Sequence, residues 1–247
     1  MGTLEGRVTL VTGGSRGLGK AMVEAFACRG ADVVIASRKL ANCESLAAEV
    51  EDKFGCTALP VGADVADWAD CDRLVDAAYA KFGRVDVLVN NAGMSPLYPS
   101  LVDVGEGLWE KVFGVNLKGP FRLTALIGTR MAAGGGGSII NISSLAAVRP
   151  EANLLPYAAA KAGLNALTEG FAHALGPNVR VNTIQCGAFR TDVANSWTPE
   201  FSAVLSAQSA LARTGTPDEI IGPAVYFATE ASSFTTGATL RVDGGAR

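Results

Sequence analysis

The chain has one histidine, His173, and only five cysteines, and this scarcity excludes several kinds of site before any motif is read. A single imidazole builds neither a typical metal site nor a serine–histidine–aspartate triad, so His173, on a helical stretch among apolar residues, takes a structural role. Cys28, Cys43, Cys56, Cys71 and Cys186 are odd in number and show no C-x-x-C pairing, which argues against a disulfide framework and a cysteine zinc site. Most of them read as small core residues, and no metal is expected. Charged side chains are 18% of the chain and the formal net charge is −3. A phosphate backbone is bound through clustered Lys and Arg, so a nucleic-acid partner is not expected. No uninterrupted apolar run is long enough to span a bilayer, and residues 1–6 lack the basic-then-apolar pattern of a signal peptide; the expectation is a cytoplasmic protein with no membrane partner. No Pro- or Ser-rich linker divides the 247 residues, and with 49% hydrophobic side chains they suffice for one large core and one domain, 1–247.

Against that background stands a regular alternation. Apolar, β-branched runs at 8–11, 33–36, 58–61, 85–89, 138–142 and 179–184, with a short one at 239–242, are separated by helical patterns. Continuously apolar strands imply a sheet covered on both faces, hence α/β: one doubly wound, mostly parallel sheet of the Rossmann type. The stretch 189–216 breaks the rhythm with Trp197, Pro199 and a helical pattern near 200–207. Ligands bind beyond the carboxyl ends of such strands, so this insertion after the sixth strand is expected to be a substrate lid. The glycines at 134–137 read as a helix terminus and turn.

Residues 12–19, TGGSRGLG, follow the first strand and open a helix. A phosphate needs backbone N–H groups with no Cβ in the way, and the positive helix end adds favourable charge, so this is a phosphate cradle. Its glycine spacing is looser than the usual dinucleotide fingerprint; the second strand, ending at Ser37-Arg38 where an adenosine ribose belongs, supplies the context. Farther on, Tyr157 and Lys161 stand one helical turn apart with three alanines between them, and Ser143-Ser144 ends the preceding strand. A phenol, with an ordinary pKa of about 10, is a poor base at neutral pH. A nearby ammonium is expected to lower that value and make Tyr157 a usable acid–base group, while a serine hydroxyl hydrogen-bonds a carbonyl oxygen as charge develops. Hydride has to come from a cofactor.

In their order, the loop 12–19, Asp64-Val65, Asn90-Asn91-Ala92-Gly93, Asn116, Ser144, Tyr157-x-x-x-Lys161 and Val242-Asp243-Gly244-Gly245 resemble the short-chain dehydrogenase/reductase family over essentially the whole chain. The resemblance implies that Tyr157 is the general acid/base, that Lys161 lowers its pKa and holds the nicotinamide ribose, and that Ser144 orients the substrate. Asn116 would support a water-mediated proton relay through Lys161. For the cofactor it implies Gly13, Ser15, Arg16, Gly17, Leu18 and Gly19 at the phosphates, Ser37 and Arg38 at the adenosine ribose, and Asp64 and Val65 at the adenine. Asn91, Ala92 and Gly93 would meet a ribose, with Gly187 and Thr191 near the nicotinamide; Asn90 would stabilise the sheet. Cys186 stands where relatives commonly have proline, and reads as a pocket-shaping residue rather than a nucleophile.

Cofactor choice follows from Ser37. An acidic residue there would pair with the ribose hydroxyls of NAD(H); Ser37 removes repulsion toward a 2′-phosphate, and Arg38 and Arg16 offer guanidinium groups to it, so NADP(H) is expected over NAD(H). The alternative is that both arginines are solvated surface charges. By family position the substrate walls are Ser95, Leu97, Ser144, Ala146, Glu151, Leu154, Tyr157, Cys186, Phe189 and Trp197, a mainly apolar set suited to a ketone or secondary alcohol. The motif set is most similar to bacterial 3-oxoacyl-thioester reductases and to sugar or polyol dehydrogenases. A catalytically silent cofactor-binding regulator is the alternative of another class. The resemblance also implies a homotetramer.

Overall fold

The computed structural model describes residues 3–192 and 197–246, so the centre of the expected lid, 193–196, lies outside the described residues. The apolar runs form seven described strands: β1 (Val8–Thr12), β2 (Asp32–Ser37), β3 (Ala58–Gly62), β4 (Val87–Asn90), β5 (Gly137–Ser144), β6 (Val179–Cys186) and β7 (Thr239–Val242). All pairings are parallel and the order is β3-β2-β1-β4-β5-β6-β7. Their apolar continuity is explained by burial on both faces. Leu10, Val34, Leu88 and Ile139 pack toward α3 (Trp68–Phe82), α5 (Gly119–Ala133) and α6 (Leu155–Leu175). Val11, Val33, Val89 and Ile140 pack the other way, toward α1 (Gly17–Ala27), α2 (Leu40–Phe54) and α7 (Ile221–Ala228). Each fully buried Leu or Ile contributes about 1.5–3 kcal/mol, so these two layers hold the strand ends in place.

Two boundaries differ from the sequence expectation in ways that bear on the site. β5 extends to Ser144 and pairs there with Cys186 at the end of β6, so both residues are strand-borne and rigid. Gly137 opens β5 instead of belonging to the turn after α5. His173 is exposed in the last turn of α6.

Because the chain runs β1, β2, β3 to one side and resumes with β4 on the other side of β1, the loops after β1 and β4 diverge and open a crevice. A buried polar chain fixes the helices beside it. Asn90 Nδ2 donates to Thr124 Oγ1 (3.0 Å) and Asn141 Oδ1 (2.8 Å), and Asn141 Nδ2 donates to Thr168 Oγ1 (2.9 Å), which also meets Thr183 Oγ1 at 2.7 Å. These bonds are about 0.5–1.5 kcal/mol each, but an unpaired partner would cost more, so they fix the register of α5 and α6 against the sheet. Asn90 therefore acts in the sheet, as expected.

Candidate active site

The loop after β1 is tied directly to the loop after β4. Thr12 Oγ1 accepts from the backbone N–H of Asn91 (3.0 Å) and Ala92 (3.1 Å), and Asn91 Nδ2 donates to Thr12 O (2.8 Å). So tight an approach demands glycine. Gly13 has φ +62°, and a Cβ on Gly19 would lie 2.2 Å from Gly13 O. α1 starts at Gly17 and its N-cap residue, Arg16, makes no side-chain cap, which leaves the first-turn N–H groups at the crevice for another acceptor. The crevice encloses 430 Å³ and brings together the loop residues, Ser37, Arg38, Asp64, Val65, the 91–93 segment, Ser144, Tyr157, Lys161 and Cys186.

At one end Ser37 closes β2 with its hydroxyl accepting from Ser15 Oγ (3.0 Å), donating to Lys39 O (3.3 Å) and hydrogen-bonding with Cys43 Sγ (3.0 Å). Arg38 is exposed on the rim, and Arg16 Nε lies 4.0 Å from Asp192. Asp64 Oδ1 accepts from Ala66 N (3.0 Å), a turn that sets Val65 into the wall.

At the other end α6 presents Tyr157 and Lys161 to the crevice, which Ser144 also lines, its Oγ accepting from Ala146 N (3.2 Å). Lys161 is 3% exposed; its Nζ donates to Ile142 O (2.7 Å) and lies 5.8 Å from the Tyr157 ring centroid. Burial lowers the Lys161 pKa to about 8. Burial likewise pushes Tyr157 up to about 12, opposed by the nearby Ser144 hydroxyl. The expected lowering of the phenol by the ammonium is thus corrected: burial dominates and raises it, and the ammonium is engaged by a carbonyl of β5. Cys186, buried beside both, is pushed up to about 12 by burial, so its thiol stays protonated and un-nucleophilic at neutral pH.

Asn116 sits in a π-helical turn, Gly114–Lys118, between α4 (Glu106–Phe113) and α5. Its Nδ2 donates to Val112 O (2.9 Å) and Met94 O (2.9 Å), and its Oδ1 accepts from Met94 N (3.3 Å). The side chain is therefore occupied in fastening the loop after β4, and makes no direct bond to Lys161; Gly93 lies between them, since a Cβ there would be 3.2 Å from Asn116 Oδ1 and 3.8 Å from Lys161 Nζ.

This arrangement has close counterparts. The family described as enoyl-(acyl carrier protein) reductase matches residues 13–247. The chain is 39% identical to an L-rhamnose 1-dehydrogenase (NAD(P)(+)) of Azotobacter vinelandii, over 97% of this chain and 96% of that one. It is 35% identical to a 3-oxoacyl-[acyl-carrier-protein] reductase of Thermotoga maritima, over 98% of each. Among solved structures, a 7α-hydroxysteroid dehydrogenase complexed with NADH and 7-oxo glycochenodeoxycholic acid superposes with a TM-score of 0.94 at 32% identity, over 99% of this chain and 95% of that one. The chain belongs to the short-chain dehydrogenase/reductase family. It is an oxidoreductase acting between an alcohol and a carbonyl, of a family that binds nicotinamide cofactors.

The members expected at the substrate divide. Ser95, Ser144, Tyr157, Cys186, Phe189 and Trp197 line the crevice, whereas Leu97, Ala146, Glu151 and Leu154 are not among its walls. Leu97 is 70% exposed and Glu151 is exposed. Gly187 and Thr191, after β6, line the crevice; a Cβ on Gly187 would lie 2.7 Å from Asp243, so the segment after Cys186 is pressed against the C-terminal loop. Sequence reasoning missed Met94, Ser143 and Asp192, which also line the crevice. Their signal was adjacency to Gly93, Ser144 and Thr191.

Proposed function

We propose that the protein is an NADP(H)-preferring reductase of ketones, also run in reverse as a dehydrogenase of secondary alcohols, with Tyr157 as the acid–base group. The observation that carries this reading is the convergence of Ser144, Tyr157 and Lys161 at one end of a crevice whose other end is a glycine cradle so tight that a Cβ on Gly19 would lie 2.2 Å from Gly13 O. That cradle fits a dinucleotide diphosphate. Gly13, Ser15, Gly17, Leu18 and Gly19 would hold the phosphates, Asp64 and Val65 the adenine, and residues 91–93, Lys161, Gly187 and Thr191 the nicotinamide half. When bound, the cofactor supplies or accepts the hydride.

This chain's own part is the proton and the charge. In reduction, Tyr157 Oη donates its proton to the oxygen of the carbonyl, while Ser144 Oγ donates a hydrogen bond to the same oxygen. The Lys161 ammonium, held by Ile142 O, stabilises the phenolate that Tyr157 becomes. Asn116 keeps the 93–94 backbone in place beside Lys161. At the adenosine end Ser37 carries no charge and Arg38 is exposed at the rim, which supports a 2′-phosphate partner.

The walls Phe189, Trp197 and Cys186 favour a substrate with apolar bulk, such as a 3-oxoacyl thioester; the alternative, a sugar or polyol, rests on the likeness to such dehydrogenases. A cytoplasmic homotetramer is the proposed form; no described helix is long and apolar enough to cross a membrane. The test is turnover in both directions, with NADPH and NADH, across 3-oxoacyl thioesters, cyclic ketones, sugars and steroids. Absence of turnover with every pair would favour the cofactor-holding regulator instead.

A further inference from the structure

The helix that carries Tyr157 and Lys161 begins without a cap of its own. Its N-cap residue, Leu154, offers no side-chain acceptor, and Pro156 in the first turn has no N–H. The acceptor comes from another loop. Tyr98, in the segment after β4 and only 9% exposed, accepts through Oη from the N–H of Leu155 (3.0 Å) and donates to the carbonyl of Ala152 (2.6 Å). One phenol thus uses its donor and an acceptor position to bridge both sides of the turn that enters α6, two residues before Tyr157. The same turn is closed by Leu154 N donating to Glu151 O (3.0 Å), so residues 151–155 hang on Tyr98 as a unit.

We propose that Tyr98 is a positioning residue for catalysis: it caps the catalytic helix from outside and locks together the loop after β4 and the loop after β5. The inference rests on the reading of Tyr157 as the acid–base group. Its consequence is geometric. Freed from Tyr98, the first turn of α6 can fray, and Tyr157 lies in that turn, whereas Lys161 is held one turn later by Ile142 O and the glycine cradle is on the far side of the sheet switch point. Misplacement of a reacting group by about 1 Å costs on the order of a hundredfold in rate. The phenol should therefore matter to kcat more than to cofactor binding.

Tyr98→Phe, which removes only the oxygen, is compared with the parent and with Tyr226→Phe, which loses a similar phenol hydrogen bond to Thr235 Oγ1 (2.8 Å) remote from the crevice. The expected result is faster deuterium exchange in the peptide covering 151–158, a kcat for ketone reduction lowered roughly tenfold or more, and an NADPH Kd within about twofold of the parent. Tyr226→Phe should leave kcat and that exchange unchanged. Unaltered exchange in Tyr98→Phe, as when water replaces the phenol in both bonds, overturns the clamp. Faster exchange with an unchanged kcat, or a fall in kcat matched by an equal loss of NADPH affinity, overturns the positioning role. A parent that reduces no ketone refutes the underlying reading instead, and the exchange comparison still decides the clamp.

Discussion

Lys161 is the group in the crevice whose charge changes near physiological pH, and its titration should be visible in both rate and stability. Its neighbours Tyr157 and Cys186 are held up at about 12 by burial, so neither ionises appreciably below pH 10. Lys161, lowered to about 8, is roughly ten-to-one ammonium at pH 7 and ten-to-one amine at pH 9. Because the ammonium stabilises the phenolate formed when Tyr157 gives up its proton, kcat/KM for ketone reduction should fall roughly tenfold between pH 7 and pH 9, with one inflection near 8. Lys161→Arg keeps its charge throughout this range and should lose that inflection, whatever its absolute rate. The stability effect has a defined sign. The folded value lies below the ordinary 10.5, so burying the ammonium costs about 3 kcal/mol at pH values below 8, and that stability is recovered as the pH rises toward 10.5. The urea midpoint of the parent should therefore rise relative to that of Lys161→Met between pH 7 and 9.5. A reduction profile flat from pH 6.5 to 9.5, or an inflection that persists unchanged in Lys161→Arg, would refute the reasoning.

Tyr157→Phe keeps the ring packed and should lower ketone reduction by about 10²- to 10⁴-fold with NADPH binding nearly unchanged by fluorescence titration; a near-parent rate would remove Tyr157 from the mechanism. Arg38→Ala should weaken NADPH roughly tenfold or more and leave NADH almost unaffected, as measured by paired titrations, and equal losses would exclude a contact to the 2′-phosphate. Light scattering on a sizing column should give a tetramer, because Trp68, Trp109 and Phe121 stand 41%, 43% and 41% exposed on the helical side that includes α5; a monomer at micromolar concentration counts against it.

The parts read best from sequence are those where chemistry and backbone geometry coincide. Gly13 and Gly19 announce the cradle because a Cβ would collide there, and the apolar strands announce the covered sheet because both of their faces are buried. Tyr157 and Lys161 are legible through helical spacing. Their proton affinities were not, since burial is a property of the packed site: the same lysine that sequence reasoning makes a charge donor to Tyr157 is itself pushed toward neutrality. The substrate walls are legible only in part. Leu97 and Glu151, expected there by position on loops, are exposed, and a loop residue's position in the chain says little about which way it faces.

Tyr98 shows why this division matters for function. Nothing in Ser95-Pro96-Leu97-Tyr98 marks a helix cap, since capping by sequence is sought within a few residues of the helix start, and Tyr98 precedes Leu155 by 57 residues. Strand ends and the glycine turn fix the reaction because their geometry is imposed by the sheet. The entry to α6 is not so imposed: its anchor is a side chain on a loop of the substrate rim. Substitution in that loop therefore acts on two properties together, the shape offered to the substrate and the placement of the acid–base group. A loop exchange that alters substrate choice while keeping Tyr98 should preserve kcat on a well-accommodated ketone, whereas one that loses the phenol should depress kcat on every substrate alike.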